Sequence, residues 1–388
     1  MAFITLLLSA VFILVLAWST SLYYLFLYWR KPAGKKEAAT APAQEVFFHV
    51  IVPSFEEAGL IAEKLANLGR LDYPAHLFRV YVVDGGSTDG TAKIARAHCR
   101  ERANFEAIVS PRRGKIAQVN HVLEKIKNGI VMITDVDGLL EPAALGELSR
   151  LYLDPDVGCV GANVLPDNPL PEDAVFWRDQ NAMRRLESEW GHSSVMVAAA
   201  YSFRRDLFER FPADVVADDV YAAFTANLMG KKCLYPSRPR VREVRSGTSA
   251  AWMFRHKLRK INANMLELRR FLPAWRRMRP PCRMIFVTKF IQSWLAAPMT
   301  VLLAVLLVIS FRQLGAAASF FWLAAAVVLL TTSVLVGSLF VAVTPEQDRV
   351  NIPAAARLRY FLIMHGVLLA GFFRYFLVRQ HSSYLKVK

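Results

Sequence analysis

The chain has 388 residues, 54% of them hydrophobic, and a positive mean hydropathy. That is too apolar for a disordered chain, and it suits a soluble domain of roughly 200–250 residues joined to several membrane segments. The formal charge of +16 invites a nucleic-acid partner, but more than half of the excess lies in one segment, Arg255 to Arg283, interleaved with large apolar side chains.

Residues Met1 to Trp29 carry no charged side chain and end in Arg30-Lys31, with Lys35-Lys36 just beyond. The stretch is long enough to span a bilayer. Ala41-Pro42-Ala43 resembles a signal-peptide cleavage site, but a basic leading region is missing and the apolar run is too long. The positive charges follow the run, so residues 1–30 are expected to be an uncleaved anchor in the cell (inner) membrane. Its N-terminus then lies outside and the bulk of the chain is cytoplasmic. Ala38–Gln44 reads as the linker to the soluble part.

From residue 45 to 248, strand-like and helix-like stretches alternate. Phe47–Pro53 predicts a strand and Glu57–Leu68 a helix. Phe78–Asp84 predicts a second strand, leading through a glycine-rich turn into a helix with Ser87 and Thr88 as N-cap candidates. Glu106–Val109 predicts a third strand, Lys115–Lys127 a helix, and Ile130–Thr134 a fourth strand. Alternation of this kind implies an α/β domain with a mostly parallel sheet and helices on both faces. Ligands of such sheets sit beyond the carboxyl ends of the strands.

At the end of the fourth strand stand Asp135 and Asp137. Residues i and i+2 of a strand share a face, so both carboxylates are expected to reach one hard cation. A divalent metal held there can clamp a diphosphate leaving group; the bland alternative is a solvated strand end. Asp218-Asp219 precede a helical pattern, Val220–Leu228, closed by Gly230. They read as an N-cap pair, as a positioned general base, or as both. The four cysteines show no Cys-x-x-Cys spacing and are expected to be reduced structural thiols.

Residues 249–285 carry the basic cluster, with Glu267 as the sole acid between Arg255 and Arg283. Basic and apolar residues at near-helical spacing before a membrane segment predict helices lying on an anionic inner leaflet. Phe290–Phe311 and Leu314–Thr344 read as a membrane hairpin, within residues 286–344, that places Arg312 outside. The last apolar run, Tyr360–Phe373, is short and flanked by arginines. Residues 353–388 are therefore expected to form an interfacial or re-entrant helix, or a fourth span, with a basic cytoplasmic tail ending at Lys388.

Taken in order, five motifs resemble the family 2 glycosyltransferases, whose catalytic domain has the nucleotide-diphosphosugar transferase (GT-A) fold. They are Val50 to Glu56, Val82 to Thr91, Arg113-Gly114-Lys115 with Asn120, Asp135-Val136-Asp137, and Ala217-Asp218-Asp219. The resemblance implies donor contacts from Pro53, Glu56, Asp84, Lys115, Asp135 and Arg259, and Mg2+ or Mn2+ held through Asp137 and Asp135. It implies Asp219 as the general base, with Asp218, Asn120 and His256 supporting. Many members have Asp-Asp where this chain has Asp84-Gly85. The family's Gln-x-x-Arg-Trp element aligns with His256-Lys257-Leu258-Arg259-Lys260, so the tryptophan that stacks on the acceptor sugar in processive synthases is absent. The expected donor is a nucleotide diphosphosugar, a UDP-sugar first. The expected acceptor is a growing polysaccharide, as in hyaluronan, cellulose and poly-N-acetylglucosamine synthases; the alternative is a membrane lipid, as in ceramide glucosyltransferases. A catalytically silent scaffold is the rival from another class, and it would have lost one or more of these carboxylates. Nucleic acid is not an expected partner.

Overall fold

The structure is a computed structural model that describes residues 1–30, 46–245, 247 and 249–378. The expectations for Lys31, Lys35-Lys36, the 38–44 linker and the tail from residue 379 lie outside the described residues.

Four parallel strands form the first half of the main sheet: β1 (Phe48–Ser54), β2 (Phe78–Asp84), β3 (Phe105–Val109) and β4 (Ile130–Thr134), in spatial order β3-β2-β1-β4. Their register pairs Ser54 with Asp84 and Asp84 with Val109, which brings the carboxyl ends to one edge. Further along the chain come β5 (Gly138–Leu140), β6 (Val157–Gly161), β7 (Asn163–Pro166), β8 (Ala200–Arg204), β9 (Lys232–Leu234) and β10 (Arg240–Glu243). β8 joins β4 antiparallel and extends the sheet through β6 to β9, while β5, β10 and β7 make a second, three-stranded sheet.

Alternate residues of the strands face two cores, as period-2 geometry requires. Phe48, Val50, Val52, Val80, Val82 and Met132 pack under Ile61, Leu65 and Leu68, whereas Ile51, Tyr81, Val83, Val131 and Ile133 pack under Ile116, Val119 and Val122. Burial on both faces explains why these strands read as continuous apolar runs. The α/β reading with a mostly parallel sheet is therefore observed.

The helices are α1 (Ala2–Trp29), α2 (Ile61–Leu68), α3 (Thr91–Arg100), α4 (Lys115–Leu123), α5 (Ala144–Leu151), α6 (Pro171–Glu189), α7 (Asp218–Leu228), α8 (Ala250–Phe271), α9 (Pro280–Leu314), α10 (Ala317–Ala342) and α11 (Ala354–Leu377). α1, α9, α10 and α11 are each long and apolar enough to cross a membrane.

Two sequence boundaries shift. The basic segment was separated from the membrane hairpin at residue 285, yet α9 runs unbroken from Pro280, a proline at the start of a helix being pre-organised for it. The final 14-residue apolar run lies inside the 24-residue α11, because Arg357, Arg359 and Arg374 extend a helix readily. Nor is α8 a uniformly basic membrane face. Lys257 is buried, pairs with Asp173 at 2.8 Å and sits over the Phe176 ring, and Glu267 is wholly buried beside Arg270. All four cysteines are free and buried.

Candidate functional site

The two aspartates are not in a strand. β4 ends at Thr134, and Asp135 to Asp137 form a tight turn closed by the Gly138 N–H donating to the Asp135 carbonyl at 3.1 Å. The same-face argument therefore fails, and the turn takes its place in bringing the carboxylates near each other. Burial, and then the negative charge of Asp135, raise the Asp137 carboxyl above its ordinary range. Arg245 spans this turn and the first loop, 3.7 Å from Asp137 Oδ2 and hydrogen-bonded to Glu57.

Beneath the turn lies Lys64 of α2, fully buried, whose Nζ donates to Thr134 Oγ1 at 2.7 Å and to the Gly138 carbonyl. Burial pushes its ammonium down to about 7, against the pull of Asp135 and Asp137. Sequence reasoning missed this residue. A signal existed: Lys64 occupies the apolar stripe of α2 with Ile61, Leu65 and Leu68, where a solvated lysine has no place.

Lys115 opens α4. It follows Gly114, whose φ of +106° favours glycine. Its Nζ lies 2.8 Å from Asp135 Oδ1 and 3.2 Å from Asp218 Oδ2. One ammonium thus joins the aspartate turn to the start of α7. Asp218 Oδ2 also accepts from the Tyr201 hydroxyl at 2.7 Å, and Asp219 Oδ2 accepts from the Val197 N–H at 3.0 Å. Neither aspartate caps the helix. Its N-cap is Ala217, and both carboxylates occupy the first turn, drawn to partners outside α7. Burial, then Asp218, raise the Asp219 carboxyl, while Lys115, Lys260 and Arg184 pull it down.

The first loop is tied to the second. Pro53 is buried in β1, and Glu56, at φ +54°, accepts from the Thr88 N–H at 2.7 Å while its own N–H donates to Ser87 Oγ. Asp84 accepts from the Gly86 and Ser87 N–H groups at 3.0 Å each and from the Ser87 hydroxyl at 2.5 Å. Ser87 and Thr88 are therefore not N-caps; α3 starts after Gly90, and the two side chains brace the loops instead. Asn120 exchanges two hydrogen bonds with the Phe211 backbone, so it fixes the approach to α7.

On α8, Arg259 is exposed, whereas Lys260 sits 5.4 Å from the Trp177 ring centre on the side that influences Asp219. His256 packs against Trp252 with ring centres 4.6 Å apart, and burial and three neighbouring cations hold it neutral. Among the described residues no group of three or more His, Cys, Asp or Glu side chains could hold a metal by itself. Two hard carboxylates still suit Mg2+ or Mn2+, which take one or two protein carboxylates and complete their shell with water and substrate phosphate.

Residues 49–211 match the family model Glycosyl transferase family 2. An N-acetylglucosaminyltransferase of Rhizobium leguminosarum bv. viciae is 26% identical over 187 residues, 45% of this chain and 44% of that protein. A beta-monoglucosyldiacylglycerol synthase of Nostoc sp. is 26% identical over 117 residues, 29% of this chain and 25% of that one. The matches thus span less than half the length of these curated relatives. A mannosyltransferase from Pyrobaculum calidifontis, solved in complex with GDP-Man and Mn2+, superposes with a TM-score of 0.69 at 24% identity, covering 97% of this chain and 100% of that one. The topology and this superposition show the GT-A fold, and residues 49–211 resemble the family 2 glycosyltransferases in the motifs at their strand ends.

Proposed function

We propose that the chain transfers a glycosyl group from a nucleotide diphosphosugar, a UDP-sugar first, to a hydroxyl acceptor at the membrane, with inversion at the anomeric carbon. The observation that carries this reading is Lys115, whose ammonium touches Asp135 of the donor motif and Asp218 beside the proposed base. Asp219 takes the acceptor proton as the acceptor oxygen bonds to the anomeric carbon; the bond from that carbon to the diphosphate breaks, and its electron pair leaves with the nucleotide. Lys115 stands where it can meet the charge that develops there. Asp135 and Asp137 would hold Mg2+ or Mn2+, which supplies charge neutralisation for the leaving diphosphate. Burial and Asp218 raise the Asp219 carboxyl, which strengthens it as a proton acceptor.

The acceptor we favour is a membrane lipid. α1, α9 and the segment before α9 border an open surface groove of about 460 Å³, lined by Trp18, Trp275, Arg283, Met284, Val287 and Thr288. Tryptophan and arginine around an apolar floor suit the headgroup level of a bilayer. The opposite face of α9, through Cys282 and Phe286, packs on Val220 and Phe224 of α7, the helix that carries Asp219. Lys260 in place of a stacking ring also fits a single transfer better than chain elongation. The ordered motifs accommodate a growing polysaccharide as well, and this is the second reading.

In this reading α11 lies at the membrane surface. It runs beside α8, with Gly366 against Phe254, Gly371 against Ile261, and Arg269 bonded to Tyr375. α8 in turn is anchored in the soluble core through Met253. The full-length chain in lipid nanodiscs, given radiolabelled UDP- and GDP-sugars, tests the proposal. Label in a small solvent-extractable lipid supports it, label in a high-mass polymer establishes the second reading, and no transfer from any donor refutes both.

A further inference from the structure

We propose that Lys64 positions the turn bearing Asp135 and Asp137, so that the two carboxylates converge on one divalent cation. The inference deepens the metal assignment above and rests on it. Lys64 does not line the donor site; it acts through the backbone that does. Its Nζ holds both ends of the turn, Thr134 at the end of β4 and Gly138 at the start of β5, by Thr134 Oγ1 at 2.7 Å and the Gly138 carbonyl. From the other side the Ala199 carbonyl accepts the Thr134 hydroxyl at 2.8 Å and the Asp135 N–H at 3.2 Å. Three residues separate the two points that Lys64 fixes, which leaves the loop between them little freedom.

The rest of the site gives Lys64 no other task. It is completely buried on the apolar face of α2, among Ile61, Leu65 and Leu68. An ammonium there is costly unless its hydrogen bonds are made, and an apolar side chain would pack as well with no such cost. The cation also sits beside a site meant for another cation. Simple repulsion would make it a liability for metal binding, whereas a fixed turn makes it an asset. The two effects have opposite signs, which makes them separable.

The test is Mn2+ binding to the full-length chain in nanodiscs, read by electron paramagnetic resonance in the presence of UDP and, in parallel, GDP. The nucleotide that gives the tighter parent complex is carried forward. Lys64→Met keeps the length and removes the ammonium; Thr134→Val keeps the shape and removes the oxygen that Lys64 grips. Thermal melting establishes that each variant is folded, and Thr134→Val carries the test alone if Lys64→Met is not. Loss of a group that orients metal ligands typically weakens affinity about 10–100-fold, and that loss is expected in both variants. Affinity equal to or tighter than the parent's in a folded variant overturns the inference and leaves the metal assignment standing. A parent that binds no Mn2+ with either nucleotide overturns the metal assignment and this inference with it.

Discussion

Replacing Asp219 by Asn tests the chemistry most directly, because the structure separates what the side chain holds from what it does. Its Oδ2 accepts one backbone hydrogen bond, from Val197 at 3.0 Å, and the Asn amide oxygen can accept the same bond. Geometry should therefore survive. The proton acceptor does not, and losing a positioned base costs roughly 10²–10⁴-fold in turnover, about 3–5 kcal/mol of transition-state stabilisation. Stability should move the other way. Burial raises the Asp219 carboxyl, so its contribution to stability is full below the unfolded-state pKa and is lost as pH rises through the folded one. At neutral pH the parent bears that cost and Asp219→Asn does not, so the variant should melt at or above the parent temperature. Turnover with the preferred donor, calorimetry with nucleotide and Mn2+, and melting curves complete the assay. Turnover within tenfold of the parent, or loss of nucleotide binding as complete as that of Asp137→Ala, would refute the assignment and pass the role to Asp218.

Asp137→Ala should abolish transfer in a folded protein, since its half-buried carboxyl, raised by desolvation and by Asp135, costs stability once ionised; retained activity of this variant in chelator would exclude the metal role. Lys260→Met should move the acid limb of the kcat/KM profile to higher pH, because the ammonium pulls the Asp219 carboxyl down; an unmoved limb would mean that the limb belongs to another group. Cysteines placed at Arg312 and at Lys386 should label from outside and from the cytoplasm respectively; an external Lys386 position would make α11 a fourth span.

Much of the fold was legible because the signals are local. The strands at Phe78–Asp84 and Ile130–Thr134 occur where their apolar runs place them, and α4 begins at Lys115 after Gly114. What local rules did not settle was the engagement of polar side chains near element ends. Ser87, Thr88, Asp218 and Asp219 satisfy local capping rules, yet each is engaged elsewhere: Ser87 by Asp84, Thr88 by Glu56, Asp218 by Lys115 and Tyr201, Asp219 by Val197. Those partners lie far away in sequence or on other elements, and periodicity carries no information about them. Lys64 shows the converse. Its misfit on an apolar face was visible, but its partner, the aspartate turn, becomes apparent only when α2 is laid against β4 and β5.

The long apolar helices do more than flank this domain. Glu187, at the end of α6 and wholly buried, pairs with Lys289 of α9 at 2.9 Å and accepts from Tyr23 of α1 at 3.3 Å. Its other oxygen accepts from the Ser194 N–H at 3.1 Å and from the Ser194 hydroxyl at 2.7 Å. Three residues on, Val197 takes φ +68°, a left-handed conformation that a β-branched side chain resists, and gives its N–H to Asp219. Such a conformation persists only where the surroundings over-determine it. Here they do so through Glu187 on one side and the Asp219 carboxylate on the other. A buried ion pair adds little net stability compared with apolar packing, but losing one partner is severe, costing about 3–5 kcal/mol. The pair is thus better understood as a positional constraint than as a source of stability. It ties the position of the loop that carries Val197, and with it the hydrogen bond to Asp219, to α1 and α9.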